Sequence, residues 1–218
     1  MKERNVTVTL SKAREWFNSG NATLREVALQ AFSKDELVHN FKDITTFKKA
    51  CEVLGLNYDL TISAAENIAY YSKPSAAMLR LNIVRKALNL GTHLHFVENP
   101  RTSYIYYPNN PFITKDEGSR YYSKELNSGI LEVIGEIRSG RASYYVLNGP
   151  AYSDGNVGLG SFRYSTSSGD ANASTGFLGC ASKEIAEHFG KYFGMLITEA
   201  KYADIGKDFE IVESKYAI

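Results

Sequence analysis

The sequence predicts an α+β protein: a small N-terminal helical unit, then a mainly antiparallel sheet packed with two amphipathic helices. Three observations carry this. Apolar residues recur at three- and four-residue steps before position 91 and again after position 182. Short aromatic and β-branched runs bounded by Asn, Pro and Gly fill the middle. Helical and extended patterns come in blocks, not as the βαβ alternation of a doubly wound sheet.

In chain order, residues 6–10 (VTVTL) alternate apolar and polar, as in a short strand. Ser11 is placed to cap a helix through Phe17, with Ala13, Trp16 and Phe17 on its apolar side and Gly20 as its stop. A second helix is expected over residues 23–32, where Leu24, Val27, Ala28, Ala31 and Phe32 make one stripe. A third covers residues 46–54, with Phe47, Ala50, Cys51 and Leu54 on one side and Gly55 at its end. These elements define a strand-plus-helices unit over residues 1–60, and residues 61–218 the α+β domain. Residues 57–72 are ambiguous, with one or two helical turns within 64–71. Pro74 and Ser75 open a helix with Ala76, Leu79, Ile83, Ala87 and Leu90 as its stripe, ended by Gly91.

Residues 93–97, 104–107 and 143–147 read as strands, with Pro100, Pro108 and Pro111 marking edges or loops. Residues 130–137 are apolar enough for burial, but their periodicity leaves helix and strand open. Residues 148–176 are loop-like, interrupted by a strand over 157–164, and 176–181 form a further short strand. Ser182 caps an amphipathic helix in which Ile185, Ala186, Phe189, Tyr192, Phe193, Leu196 and Ile197 share a face. A last strand is expected over 209–212.

Composition narrows the function classes. With 44% hydrophobic and 22% charged residues, the chain can build a core and is not a disordered segment. A formal net charge of +1 provides no bulk field toward nucleic acid or an anionic membrane. No apolar run reaches the ~18 residues of a spanning helix. The charged start lacks the apolar core of a secretory signal, so synthesis in a cytosol without standard export is expected. Fifteen tyrosines and eleven phenylalanines suit half-exposed sheets and contact surfaces.

Motifs of chemistry are weak. His93 and His95 would share a strand face, but a metal needs further ligands, and only His39 and His188 remain among the histidines. Asp154, Asn156 and Asp170 supply oxygens without EF-hand spacing, and turns use the same residues. Residues 155–160 (GNVGLG) fit neither a dinucleotide fingerprint nor a P-loop. Cys180, with Ser182, Glu184 and His188 after it, matches no nucleophile motif; Cys51 and Cys180 read as buried free thiols. Four tyrosine pairs (70–71, 106–107, 121–122, 144–145) offer stacking surfaces, although on a strand one member of each pair faces inward. No catalytic, cofactor-binding or metal-ligating residue is therefore assigned, and no cofactor is expected.

Two stretches carry a resemblance: SKAREWFNSGN at 11–21, continuing as TLREVALQAF at 23–32, and SKEIAEHFGKYF at 182–193. They resemble sequences of phages and mobile elements of Bacteroidetes, including crAss-like phages. A weaker likeness covers IVRKALNLG at 83–91 with Tyr106, Tyr107 and Pro108. The resemblance implies a virion-associated, non-enzymatic protein made in the bacterial host cytoplasm: capsid decoration, head fibre or tail component. Its implied partners are other virion proteins, in several copies or as a homo-oligomer; from composition, no membrane partner is expected and nucleic acid is disfavoured. A surface carbohydrate- or receptor-binding module is the alternative.

Overall fold

A computed structural model describes residues 7–37, 40–90, 104–110, 112–149, 158–163, 178–203 and 208–217. The expected strand over 6–10 is not formed at its described positions. Residues 7–9 are irregular and Leu10 already opens helix α1 (Leu10–Asn18). The cap is Thr9, not Ser11: Lys12 N–H donates to Thr9 Oγ1 at 3.3 Å. A capping hydroxyl satisfies a helix amide locally, whereas a strand needs a partner for its whole backbone.

Helix α2 (Ala22–Ala31) is capped by Asn21, and a turn, α3 (Lys34–Leu37), follows. The three close on Ala13, Ala28 and Leu37, with Trp16, Phe17 and Phe32 packed around them. Val27, expected in the stripe of α2, is instead 39% exposed. Next come a 3-10 turn (Phe41–Asp43) and α4 (Phe47–Val53), which Thr46 caps; Gly55 follows with φ +67, a conformation suited to glycine. The ambiguous segment is helix α5 (Tyr58–Ala69), started by Asn57. Helix α6 (Lys73–Leu88) starts at Ser72 with Pro74 in its first turn. Its buried face is Ala77, Leu81, Val84 and Leu88, flanked by Ala76 and Ala87. The expected Leu79 and Ile83 are only half-buried, because the neighbours of α6 select an adjacent stripe of the same apolar helix.

The strands are β1 (Tyr104–Asn109), β2 (Phe112–Thr114), β3 (Glu132–Ser139), β4 (Ala142–Asn148), β5 (Gly158–Arg163) and β6 (Phe209–Ser214). Helices α7 (Lys115–Tyr121) and α8 (Ser123–Asn127) follow β2, and α9 (Lys183–Tyr202) precedes β6. Strands β2-β4-β3-β6 form an antiparallel sheet in that order, and β1 pairs antiparallel with β5. The protein is α+β, with the N-terminal helices preceding the sheet. Residues 130–137 thus resolve largely as strand β3. The strand expected over 176–181 is not formed at residues 178–181, where only Cys180 makes an isolated bridge. The strand expected over 93–97 lies outside the described residues.

Helix α9 runs through the middle of the molecule. Phe189, Phe193, Leu196 and Ile197 pack with α4 and α6, while Met195 meets Ile134, Ile137 and Val146 on the sheet. Of the two amphipathic helices, α9 touches the sheet and α6 packs on α9. Alternation along β4 sends Tyr144 and Val146 toward α9; Tyr145 and Leu147 face a second cluster with Ile113, Leu131 and Leu126 of α8. Phe47, Ala50 and Cys51 of α4 belong to the same cluster as Leu81 and Phe193, whereas α1–α3 enclose a cluster of their own.

Close approach to α9 requires glycine at two positions. A Cβ on Gly190 would stand 2.9 Å from Asn148 Oδ1, and one on Gly194 would stand 2.3 Å from Ile134 Cδ1. Into this notch fits Asn110, 5% exposed, whose Nδ2 donates to Leu147 O at 3.0 Å and Gly190 O at 3.1 Å. One amide thus ties β4 to α9 across the sheet–helix interface.

Candidate ligand cleft

A cleft of about 640 Å³ opens beside the N-terminal half of α9. Four chain segments converge on it: Phe41 and Lys42 of the 3-10 turn, Gly129, Ile130 and Glu132 at the entry to β3, Asn148 and Gly149 leaving β4, and Glu184, Glu187, His188, Lys191 and Tyr192 of α9. The start of α9 is fixed by Ser182, whose Oγ accepts from Ile185 N–H at 3.3 Å. Successive turns of the helix then bring Glu184, Glu187, His188 and Lys191 to one side.

His188 is held from three directions. Its Nε2 lies 2.8 Å from Ile44 O; a carbonyl only accepts, so Nε2 carries the proton. Phe41 meets the imidazole edge-on at 5.5 Å between centroids, and Tyr192 lies tilted at 4.6 Å. Burial lowers the His188 pKa, aided by the cations Lys191 and Lys42 and opposed by the Ile44 bond and Asp43. The ring is therefore neutral at pH 7, with its lone pair on Nδ1.

The opposite wall is an ion cluster. Glu132 Oε1 accepts from Tyr216 Oη and Lys215 Nζ, both at 2.5 Å, and Lys191 Nζ lies 3.5 Å from Oε2. Burial works to raise the Glu132 pKa, but these partners together hold it below the usual carboxylate value. Burial, with the bond to Glu132, pushes the Tyr216 phenol upward. The cluster joins the segment after β6 to the start of β3 and leaves Glu132 little freedom to act on a ligand. Glu184 is also engaged: its own backbone N–H and Ser182 lower its pKa. Glu187 is freer, with only a 3.7 Å pairing to Lys183 between half-exposed side chains.

Of the four histidines considered for metal binding, only His188 is among the described residues. Asp154, Asn156, Asp170 and Gly155 also lie outside them. Gly158 and Gly160 are strand positions in β5, paired with Asn109 and Tyr107. Cys180 is 1% exposed, donates to Leu178 O at 3.3 Å, and burial pushes its thiol up to about 12. That holds the sulfur as a thiol at neutral pH, opposite to what a nucleophile needs. Both cysteines are free and buried. Among the described residues no group of three or more His, Cys, Asp or Glu is placed to hold a metal, and no helix is long and apolar enough to cross a membrane.

The tyrosine pairs divide. Tyr70 and Tyr71, 84% and 86% exposed, meet edge to face at the end of α5. Tyr107 is buried, Tyr144 and Tyr145 pack on opposite faces of the sheet, and Tyr121 is exposed beside half-buried Tyr122.

Sequence reasoning singled out His188 but not its setting. Glu132, Asn148 and Phe41 had no signal tying them to α9. The helices after β2 did have one: Thr114 and Glu117 form a reciprocal capping box, legible as T-x-x-E. In comparisons with family models, curated proteins and solved structures, nothing matches the chain.

Proposed function

We propose that the protein is a non-enzymatic structural component of a phage particle, docking in several copies onto other virion proteins as capsid decoration, head fibre or tail part. The phage setting rests on the resemblance of residues 11–32 and 182–193, which form the α1–α2 hairpin and the cleft-bearing half of α9. The observation that carries docking is the water-facing side of α5. Leu60, Tyr70 and Tyr71 are 71%, 84% and 86% exposed, and Leu56 before the helix is 41% exposed. Exposed large apolar and aromatic side chains in and at both ends of one helix suit a protein contact.

Two further features support the reading. The edge strand β6 carries Glu210 and Glu213, and Val212 is skipped in its pairing with β3. Charges and a bulge discourage strand addition at this edge, which favours docking through side chains. Among the described residues the cleft lining contains no Ser, Thr or Cys, and Cys180 is held as a thiol.

The test is peptide mass spectrometry of purified particles, combined with a Tyr70→Ser/Tyr71→Ser variant. The chain is expected in particles, and the folded variant is expected to be lost from them. Absence of the chain from particles, or wild-type incorporation of the variant, overturns the proposal.

A further inference from the structure

We infer that the cleft beside α9 is a binding site for an uncharged saccharide, a few sugar units long. The inference stands independently of the virion reading, because it uses different residues and needs no particle.

The size of the cleft is the first constraint. At about 640 Å³ it falls within the 300–1,000 Å³ range of small-ligand sites, far more than a single ion needs. Charge is the second. The lining holds Lys42 and Lys191 against Glu132, Glu184 and Glu187, with His188 neutral. Lys191 already faces Glu132 at 3.5 Å, and Lys42 is electrostatically coupled to Glu184. Lys215 and Lys183 pair with Glu132 and Glu187 from outside the lining, so the charges nearly balance and no strong positive field favours a phosphate or an acidic sugar.

The third constraint is the kind of polar group left over. Asn148 supplies a side-chain amide whose Oδ1 lies against Gly190, Glu187 a carboxylate, and His188 an acceptor at Nδ1, since Nε2 is committed to Ile44 O. These planar groups match the paired donor–acceptor hydroxyls of a pyranose. Phe41 and Tyr192 add ring surface, whose electron-rich faces attract the weakly positive C–H faces of a sugar. Among the described lining residues Ile130 is the one aliphatic side chain longer than a methyl, so they form no apolar pocket of the kind by which a peptide anchors its side chains.

The geometry is also rigid. Ser182 fixes the start of α9, Gly190 admits Asn148 against the helix, and the Ile44 bond fixes the His188 ring. A preorganised wall avoids the ordering cost that weak sugar contacts could not offset.

The experiment uses the full chain with a panel of neutral oligosaccharides of glucose, mannose, galactose and N-acetylglucosamine, read by saturation-transfer NMR and a glycan array. At least one neutral series is expected to bind and to shift the His188 imidazole resonance. Glu187→Gln, whose side chain is half-exposed, is expected to melt like wild type and to weaken binding at least tenfold; Asn148→Ala, which also removes a contact with Gly190, is expected to weaken binding likewise in protein shown to be folded by circular dichroism. Absence of binding by every neutral series overturns the inference, as do wild-type affinity in both variants and selective binding of peptides or anionic sugars. Loss of sugar binding through Tyr70→Ser/Tyr71→Ser would move the site to α5 and overturn it equally.

Discussion

Gly194→Ala adds one methyl group at the tightest point between α9 and the sheet. The new Cβ would lie 2.3 Å from Ile134 Cδ1 and 2.8 Å from both Cγ and Nδ2 of Asn110. Neither neighbour can yield into solvent: Ile134 is 0% exposed and Asn110 5%. Overpacking of this kind costs about 1–3 kcal/mol. Displacing Asn110 from one of its two carbonyl partners leaves a buried acceptor unsatisfied, a further ~1–3 kcal/mol. Alanine returns about 1 kcal/mol through its higher helix propensity. The net expectation is a loss of about 3 kcal/mol, or a fall in Tm of roughly 10 °C for a chain of this length. Circular-dichroism melts and urea titrations measure it, with Ser63→Ala on the exposed side of α5 as a control near wild type. In an Asn110→Ala background the glycine substitution should cost less, because the side chain it strikes is gone. A Gly194→Ala protein as stable as wild type, or strictly additive effects, would refute the role given to this notch.

Two other expectations concern titration and reactivity. Burial sets the folded His188 pKa below the free value of about 6.5, so the unfolded chain takes up a proton first as the pH falls. His188 therefore costs stability between about pH 6.5 and its folded pKa. The partnered carboxylates lose their contributions only below about pH 4.5, and Glu199, raised by burial, works in the opposite sense. His188→Gln, which can still donate to Ile44 O, is expected to show a smaller drop in Tm between about pH 7.5 and 5.5 than wild type; an equal drop would place the effect elsewhere. Burial raises the pKa of both Cys51 and Cys180. Neither thiol should react with a disulfide reagent at about pH 8 in the native protein, while two per chain react in denaturant. Rapid native labelling would contradict the burial of these sites.

What the sequence by itself determined is what short-range chemistry controls. Ser182 fixed the start of α9 and Thr46 that of α4, because a capping oxygen and the amide it satisfies lie three residues apart. An aromatic and β-branched run identified β4, and the order of patterns identified an α+β protein with an antiparallel sheet. Local signals also misled: V-T-V-T-L alternates like a strand, yet Thr9 caps a helix. The tertiary structure decided which face of an element is inside. Helix α6 buries Leu81 and Val84 because α4 and α9 lie there, and no periodicity in α6 alone selects that stripe over Leu79 and Ile83. It also decided the cleft. His188 bonds a carbonyl 144 positions away, and Glu132 bonds a tyrosine 84 positions away. Such neighbours are set by chain topology and by the glycine notches in α9 that let β4 approach, and neither is written into the spacing of the residues themselves.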